Sequence, residues 1–277
     1  MNSSSPVTLR VGTYNLLSSR INDTNEQRRL LENNNVEIAG LQEVNYDNYR
    51  LSKTKYNSLT NFVGDHFQYS YFGNTINFAG GQYGIATIST LPYRSESVKH
   101  LYSNDSDKNN DKFIAACENY RFEDKSTIKD MEDLRSEYGM SLVEPRIVTR
   151  ILINKDGQEI AFYNTHISYA STKLRVMQFK QLVEILEQDD AEYKVIVGDF
   201  NADRNTTDWK IFADKFNLAN GQEGVWRDTY IVDDDPTMRV NSIDNIITSK
   251  NITISNVQTV YSTESDHIPL IADLTLN

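Results

Sequence analysis

Short, dry runs punctuate this chain, each about the length of one strand, and several are bounded by residues that carry chemistry. "VIVG" at 195–198 is typical: it stops at Asp199, Phe200 and Asn201. A continuous apolar run of that length, bounded by turn residues, reads as a strand covered on both faces. Comparable runs are "TLRVGTY" (8–14), "VEIAGLQ" (36–42), "YGIATIST" (83–90), "IDNIITS" (243–249), "ITISNVQTV" (252–260) and "IPLIADLTL" (268–276). "RIVTRILIN" (146–154) and "EIAFYNTH" (159–166) flank the Gly-containing turn "NKDGQ" and predict a hairpin. Helical spacing appears at 25–34, at 208–216 and most clearly at 172–187. In that last segment Leu174, Met177, Leu182, Ile185 and Leu186 share one face, and Lys173, Arg175, Lys180, Gln181 and Glu184 the other. Hairpins mixed with crossover helices imply a layered α/β (α+β) sandwich.

Length and composition agree. The 277 residues are 39% hydrophobic and 24% charged, which suits one globular domain with an ample core. We expect a single domain over 1–277, with 101–140 as a surface insertion, partly helical around 126–138. That segment is rich in Asp, Glu, Lys and Asn and has weak periodicity; it reads as a solvated decoration or as a substrate-selecting lid. No apolar run is long enough to cross a membrane as a helix. The start, "MNSSSPVTLR", has no apolar signal core. The expectation is a soluble monomer, cytoplasmic or secreted after loss of a signal peptide. The single Cys117 excludes a disulfide within the chain and any Cys-based metal site. The net charge of −11 repels nucleic acid at long range, but a bound cation and a local basic patch can reverse the field where it matters.

The polar residues fall in a pattern. Successive apolar runs lead into Asn15, Glu43, His166, and Asp199 with Asn201; Asp244 and Asp266-His267 stand at the starts of two others. In antiparallel sheets the end of one strand lies beside the start of its neighbour, so all of these can share one edge. A single Asp or Asn there usually caps a turn, but the whole set does not reduce to turn capping. Hard oxygen donors without Cys suit Mg²⁺ or Mn²⁺ completed by water and a substrate phosphate. Zinc is disfavoured, because no two His have the close spacing of a helical zinc motif. There is no Walker A loop and no Gly-x-Ser-x-Gly elbow.

"YN" at Asn15, "LQE" at Glu43, "YGIATIST-LP", "NTH" at His166, "GDFN" at Asp199 and Asn201, "SID" at Asp244 and "SDHIPL" at Asp266 and His267 occur in that order. In this the chain resembles the endonuclease/exonuclease/phosphatase superfamily, the deoxyribonuclease I-like metal-dependent phosphoesterases, from about Arg10 to Leu276. The resemblance implies a four-layer sandwich, two mixed β-sheets face to face with helices outside. It also implies metal-dependent hydrolysis of a phosphate ester by in-line attack of water. Glu43 would be the main metal ligand, with Asn15 and Asp266 nearby. Asp199 and Asn201 would position water and phosphate, and His267, oriented by Asp244, would be general base or phosphate contact. His166 would bind the phosphate or assist the leaving group, and Arg146 in "VEPRIVTR" would stand beside the site. Histidine at 166 argues against the abasic-site endonucleases, and Asn245 departs from the Trp-x-Asp-Arg run of the inositol phosphatases. The lack of disulfides departs from secreted deoxyribonuclease I. The expected substrate is a phosphodiester, nucleic acid slightly preferred, which would call for basic residues such as Lys173, Arg175 and Arg204 at the cleft. The alternatives are a phosphomonoesterase, a sphingomyelinase-like lipid phosphodiesterase, or a catalytically silent binding module on the same fold.

Overall fold

A computed structural model of the chain describes residues 5–20, 23–103, 110–139, 142–232 and 241–277. Its strands form two mixed six-stranded sheets. The first runs β11(Ile252–Thr259), β12(Leu270–Leu276), β1(Thr8–Asn15), β2(Ile38–Tyr46), β4(Gly81–Ser89), β3(Tyr69–Phe78). The second runs β5(Tyr93–His100), β6(Ile147–Lys155), β7(Gln158–His166), β8(Tyr193–Asp199), β10(Asp244–Thr248), β9(Asn217–Leu218). Within each sheet one pair is parallel, β1 with β2 and β7 with β8, and these pairs sit at the centre.

The alternation of β8 explains its dryness. Val195 and Val197 point into the space between the sheets, where they meet Val11, Ile38, Ile151, Phe162, Leu270 and Leu274. Ile196 points the other way, under the helix α4(Thr172–Gln188) and the short α5(Lys210–Ala213), against Phe179, Leu182 and Phe212. Both faces are covered, so no position of the run tolerates water. On the far side, α1(Asn25–Asn33) lays Leu31 on Tyr14, Ala39 and Leu41. The layers are therefore helix, sheet, sheet, helix. α4 starts at Ser171, whose hydroxyl accepts from Leu174 N–H at 3.1 Å.

The sheets approach closely near the end that carries the polar set. A Cβ on Gly40 would sit 2.4 Å from Val197 Cγ2 and 2.5 Å from Asn164 Oδ1. There Asn164 Nδ2 donates to Leu41 O (3.1 Å) and Ala86 O (2.8 Å) of the opposite sheet, and Gln42 Nε2 donates to Asn164 Oδ1 (2.9 Å). This buried amide clasp satisfies its own donors and ties the two halves of the sandwich together beside the site.

Several expectations need correction. β3 and β5 were not read from the sequence: β3 is interrupted by Gly73 and Asn74, and most of β5 is exposed, so neither shows a dry run. The 208–216 helix is only a 3₁₀ turn plus α5. On α4 the buried residues include Gln178 and Phe179, while Met177 and Ile185 are half-buried. The 101–140 segment is helical at α3(Lys125–Tyr138), in agreement with the helix expected around 126–138, and also at α2(Asn110–Asn119), which was not expected. Phe113, Cys117 and Met131 of these helices form a small apolar cluster with Ile76 and Phe78 of β3.

Candidate active site

The nine residues singled out by sequence gather at one end of the sandwich, but they come from both sheets rather than one sheet edge. Asn15 ends β1 and Asp266-His267 precede β12 in the first sheet; His166, Asp199 and Asp244 lie on β7, β8 and β10 of the second. His166 and Asp244 are both register partners of Asp199. Glu43 does not follow its strand, as its run suggested. It lies inside β2 at a bulge, where Gln42 and Glu43 oppose the single Ile85 of β4, and its φ of 55° is left-handed. A bulge re-aims a side chain that regular pairing would hold in the ladder. Asn201, just past β8, is also left-handed (φ 47°).

Asp199 is the hub. Its Oδ2 accepts from Asn15 Nδ2 at 3.0 Å, and its Oδ1 accepts from the Asn201 backbone N–H at 3.1 Å. His166 Nε2 and His267 Nε2 lie 3.4 and 3.6 Å from Oδ2. His267 Nδ1 donates to Asp244 Oδ2 at 2.7 Å, which leaves Asp244 Oδ1 buried without a hydrogen-bond partner among the described residues. The Asp244 backbone N–H is held by the Thr229 hydroxyl, and the Tyr230 ring packs edge-on against His267. Arg146 Nη1 donates to His166 Nδ1 at 3.0 Å, so the imidazole proton sits on Nε2, facing Asp199. Asn201 Nδ2 is committed to Ile167 O at 2.8 Å, so only part of that side chain is open to a ligand.

The electrostatics separate the two histidines. Burial lowers the His166 pKa well below its ordinary value, and the charges of Arg146 and His267 lower it further; it stays neutral. Burial also opposes the His267 imidazolium, but Asp244 and Asp199 outweigh that and raise its pKa. Asp199 is itself pushed up, by burial first and by the Asp244 charge second. Glu43 is raised by desolvation and then by the charge of Asp266, against the pull of Arg50 and His267.

Two sets of donors could hold a divalent cation. Asp199, Asp244 and His267 each offer an atom within 4.8 Å of the others. That group is largely hydrogen-bonded: N–H groups of Asn15, Asn201 and His267 each point at one of its carboxylate oxygens, and only Asp244 Oδ1 stays bare among the described residues. The Glu43 carboxylate, by contrast, forms no hydrogen bond or ion pair among the described residues and is crowded by Asp266. Asn15 Oδ1 accepts from Leu17 N–H at 3.1 Å and keeps a second lone pair. An acid raised by burial and then by a neighbouring acid, with open oxygens beside it, fits a hard cation such as Mg²⁺.

The sequence reading missed three neighbours of Glu43. Tyr83, Arg50 and Glu144 are close enough to act on it or be acted on by it electrostatically, and Glu144 also pairs with Arg146 Nη2 at 3.4 Å. The pairing of β4 with β2 brings Tyr83 there, a relation invisible without the register. Two of the three basic residues expected to grip nucleic acid are spent: Arg175 pairs with Asp208 (2.7 Å), and Arg204 with Asp228 and, at 3.9 Å, with Asp203, while Lys173 is exposed.

The Endonuclease/Exonuclease/phosphatase family profile matches residues 12–267, and the chain belongs to that family. No curated protein matches the chain. Among solved structures, an endonuclease/exonuclease/phosphatase from Bacteroides vulgatus superimposes with a TM-score of 0.66 at 14% identity, covering 98% of this chain and 99% of that one. The mannosyl-6-phosphatase Bt3783 of Bacteroides thetaiotaomicron gives 0.61 at 15% identity over 96% and 99%. The human Nocturnin catalytic domain, solved with bound sulfate, gives 0.64 at 14% over 98% and 95%. At these identities the likeness speaks for the fold.

Proposed function

We propose that the protein is a divalent-metal-dependent phosphoesterase that hydrolyses a compact phosphate ester. The observation that carries this is the Asp244–His267–Asp199 chain, closed on its other side by Asn15 and by the Arg146–His166 pair, next to a crowded and unpaired Glu43. Glu43, Asp266 and Asn15 would hold Mg²⁺ or Mn²⁺, which supplies neutralisation of charge developing on the phosphoryl and leaving oxygens.

The chain's own groups do the rest. His267, kept protonated by two carboxylates, donates Nε2–H to a phosphoryl oxygen. Of the two roles first open to it, base or phosphate contact, the raised pKa supports the second. Neutral His166 presents Nε2–H to the same phosphate, held in that tautomer by Arg146. Asp199, raised toward neutrality and fixed by Asn15 and Asn201, is the acceptor for the proton of the attacking water; positioned acid–base groups of this kind contribute on the order of 10²–10⁴ in rate. Phosphoryl transfer needs mostly positioning and charge stabilisation, and this set supplies both.

A compact ester is favoured over polymeric nucleic acid because Arg175 and Arg204 are neutralised, which leaves Lys173 alone of the three expected cations, and the net charge is −11. One structural relative is named as a mannosyl-6-phosphatase, in keeping with a compact ester. The test is hydrolysis of p-nitrophenyl phosphate and bis-p-nitrophenyl phosphate in Mg²⁺, Mn²⁺ or EDTA by wild type and Glu43→Gln. Turnover that needs metal and is lost in Glu43→Gln supports the reading, and the preferred compound gives the ester order. Turnover unaffected by EDTA would contradict it.

A further inference from the structure

A cavity of about 310 Å³ lies against the Glu43 flank of the site, between α2, α3 and the β3–β4 hairpin. It is of the size that ordinarily accepts a small organic ligand. Its floor is apolar: Phe113, Cys117 and Met131 from the 101–140 segment, with Ile76 and Phe78 from β3. The Cys117 thiol is pushed up by burial to about 12, so this floor carries no charge at neutral pH. Four charged side chains ring the same cavity, Arg50, Arg135, Glu132 and Glu144.

Two of these tie the cavity to the site. Glu144 pairs with Arg146, and Arg50 acts on Glu43. The Arg50 guanidinium rests over the Phe78 ring at 4.8 Å and the Tyr83 ring at 5.1 Å. Neither Arg50 nor Arg135 forms an ion pair or side-chain hydrogen bond among the described residues. A guanidinium resting over aromatic rings offers a planar face for stacking and N–H groups for hydrogen bonds.

We infer that this cavity is the specificity pocket of the proposed phosphoesterase, and that it takes a planar aromatic ring carried by the phosphate. The inference rests on that functional reading for the word "substrate" but not for the pocket itself. A ring satisfies both halves of the lining: its faces cover the apolar floor and stack beside Arg50, and polar edges reach Arg135 and the two glutamates. A lipid chain offers no ring face to stack beside Arg50. A nucleic acid strand needs an open track of cations rather than a side cavity. Two sources share this chemistry, a nucleobase and a phenolic ester.

The test separates ring recognition from catalysis. Binding of phenylphosphonate and methylphosphonate, neither of which is hydrolysed, is measured by calorimetry with wild type and with Ile128→Trp. Ile128 is half-buried on α3, lines the cavity and makes no contact with the catalytic groups. The expected result is at least 10-fold tighter binding of the phenyl compound to wild type, a preference erased in Ile128→Trp while methylphosphonate binds both proteins alike. Equal affinity for the two phosphonates, or a phenyl preference untouched by Ile128→Trp, overturns the inference even if the enzyme hydrolyses esters well. A ring preference without turnover of any ester would sustain the pocket and sink the phosphoesterase reading. Hydrolysis of AMP against phenyl phosphate, relative to glycerol phosphate, then assigns the ring: a faster AMP reaction indicates a base, a faster phenyl phosphate reaction a phenol, and glycerol phosphate as good as either overturns the inference.

Discussion

Asp189, at the C-terminal end of α4, offers a charge whose contribution to stability can be worked out and followed with pH. Arg150 clamps it with two donors, Nε at 2.6 Å and Nη2 at 3.1 Å, while the Tyr163 hydroxyl and the Ala191 N–H (2.9 Å) also donate to it. Burial works against the charge, but these hydrogen bonds win and hold the carboxyl at about 2, below its ordinary 3.8. At about 1.4 kcal/mol per pKa unit, and after a discount for partial solvent screening, that difference is worth roughly 2 kcal/mol or less at neutral pH. Because the folded pKa is the lower one, the contribution is present above pH 3.8 and is lost as pH falls toward 2. Urea unfolding of wild type and Asp189→Asn should differ by up to about 2 kcal/mol at pH 7, and by about half of that near pH 3. A difference that stays constant over this range would refute the reasoning, since it would mean that shape rather than charge carries the effect.

Other outcomes follow from the same geometry. Gly40→Ala places a Cβ against Val197 and Asn164 of the opposite sheet, and should cost about 1–3 kcal/mol by thermal or urea unfolding. Asp244→Asn removes the main charge holding the His267 proton; the rate should fall by roughly 10²–10⁴. If His267 works as imidazolium, activity is lost as pH rises through its pKa, so in Asp244→Asn the alkaline limb of the pH–rate profile should move to lower pH. Arg146→Lys cannot reproduce the fork that meets His166 and Glu144, and turnover should drop at least tenfold with little change in melting temperature.

The legible part of the fold was the part whose side chains answer to local rules. β8 shows as a dry run because both its faces are packed, and α4 shows its stripe at helical spacing. β3 and β5 pack with one face or less, and their residues look like loop until their partners are known. The site was legible for a related reason. Asn15, His166, Asp199 and Asp244 stand at strand ends, where a change from apolar to polar is visible in one dimension. Glu43 was read as lying past a strand end, because a bulge imitates one. Tyr83, Arg50 and Glu144 carry no local signal. Tyr83 reaches Glu43 through strand register, Arg50 through the bend that follows β2 and Glu144 through the packing of a distant segment, and none of these is written in spacing.

The most direct test of the account is turnover of bis-p-nitrophenyl phosphate and p-nitrophenyl phosphate by His267→Ala against wild type in saturating Mg²⁺, with circular dichroism to show that both are folded. The account predicts metal-dependent hydrolysis by wild type and a loss of at least 10²-fold in the variant. Equal rates for the two proteins would contradict it.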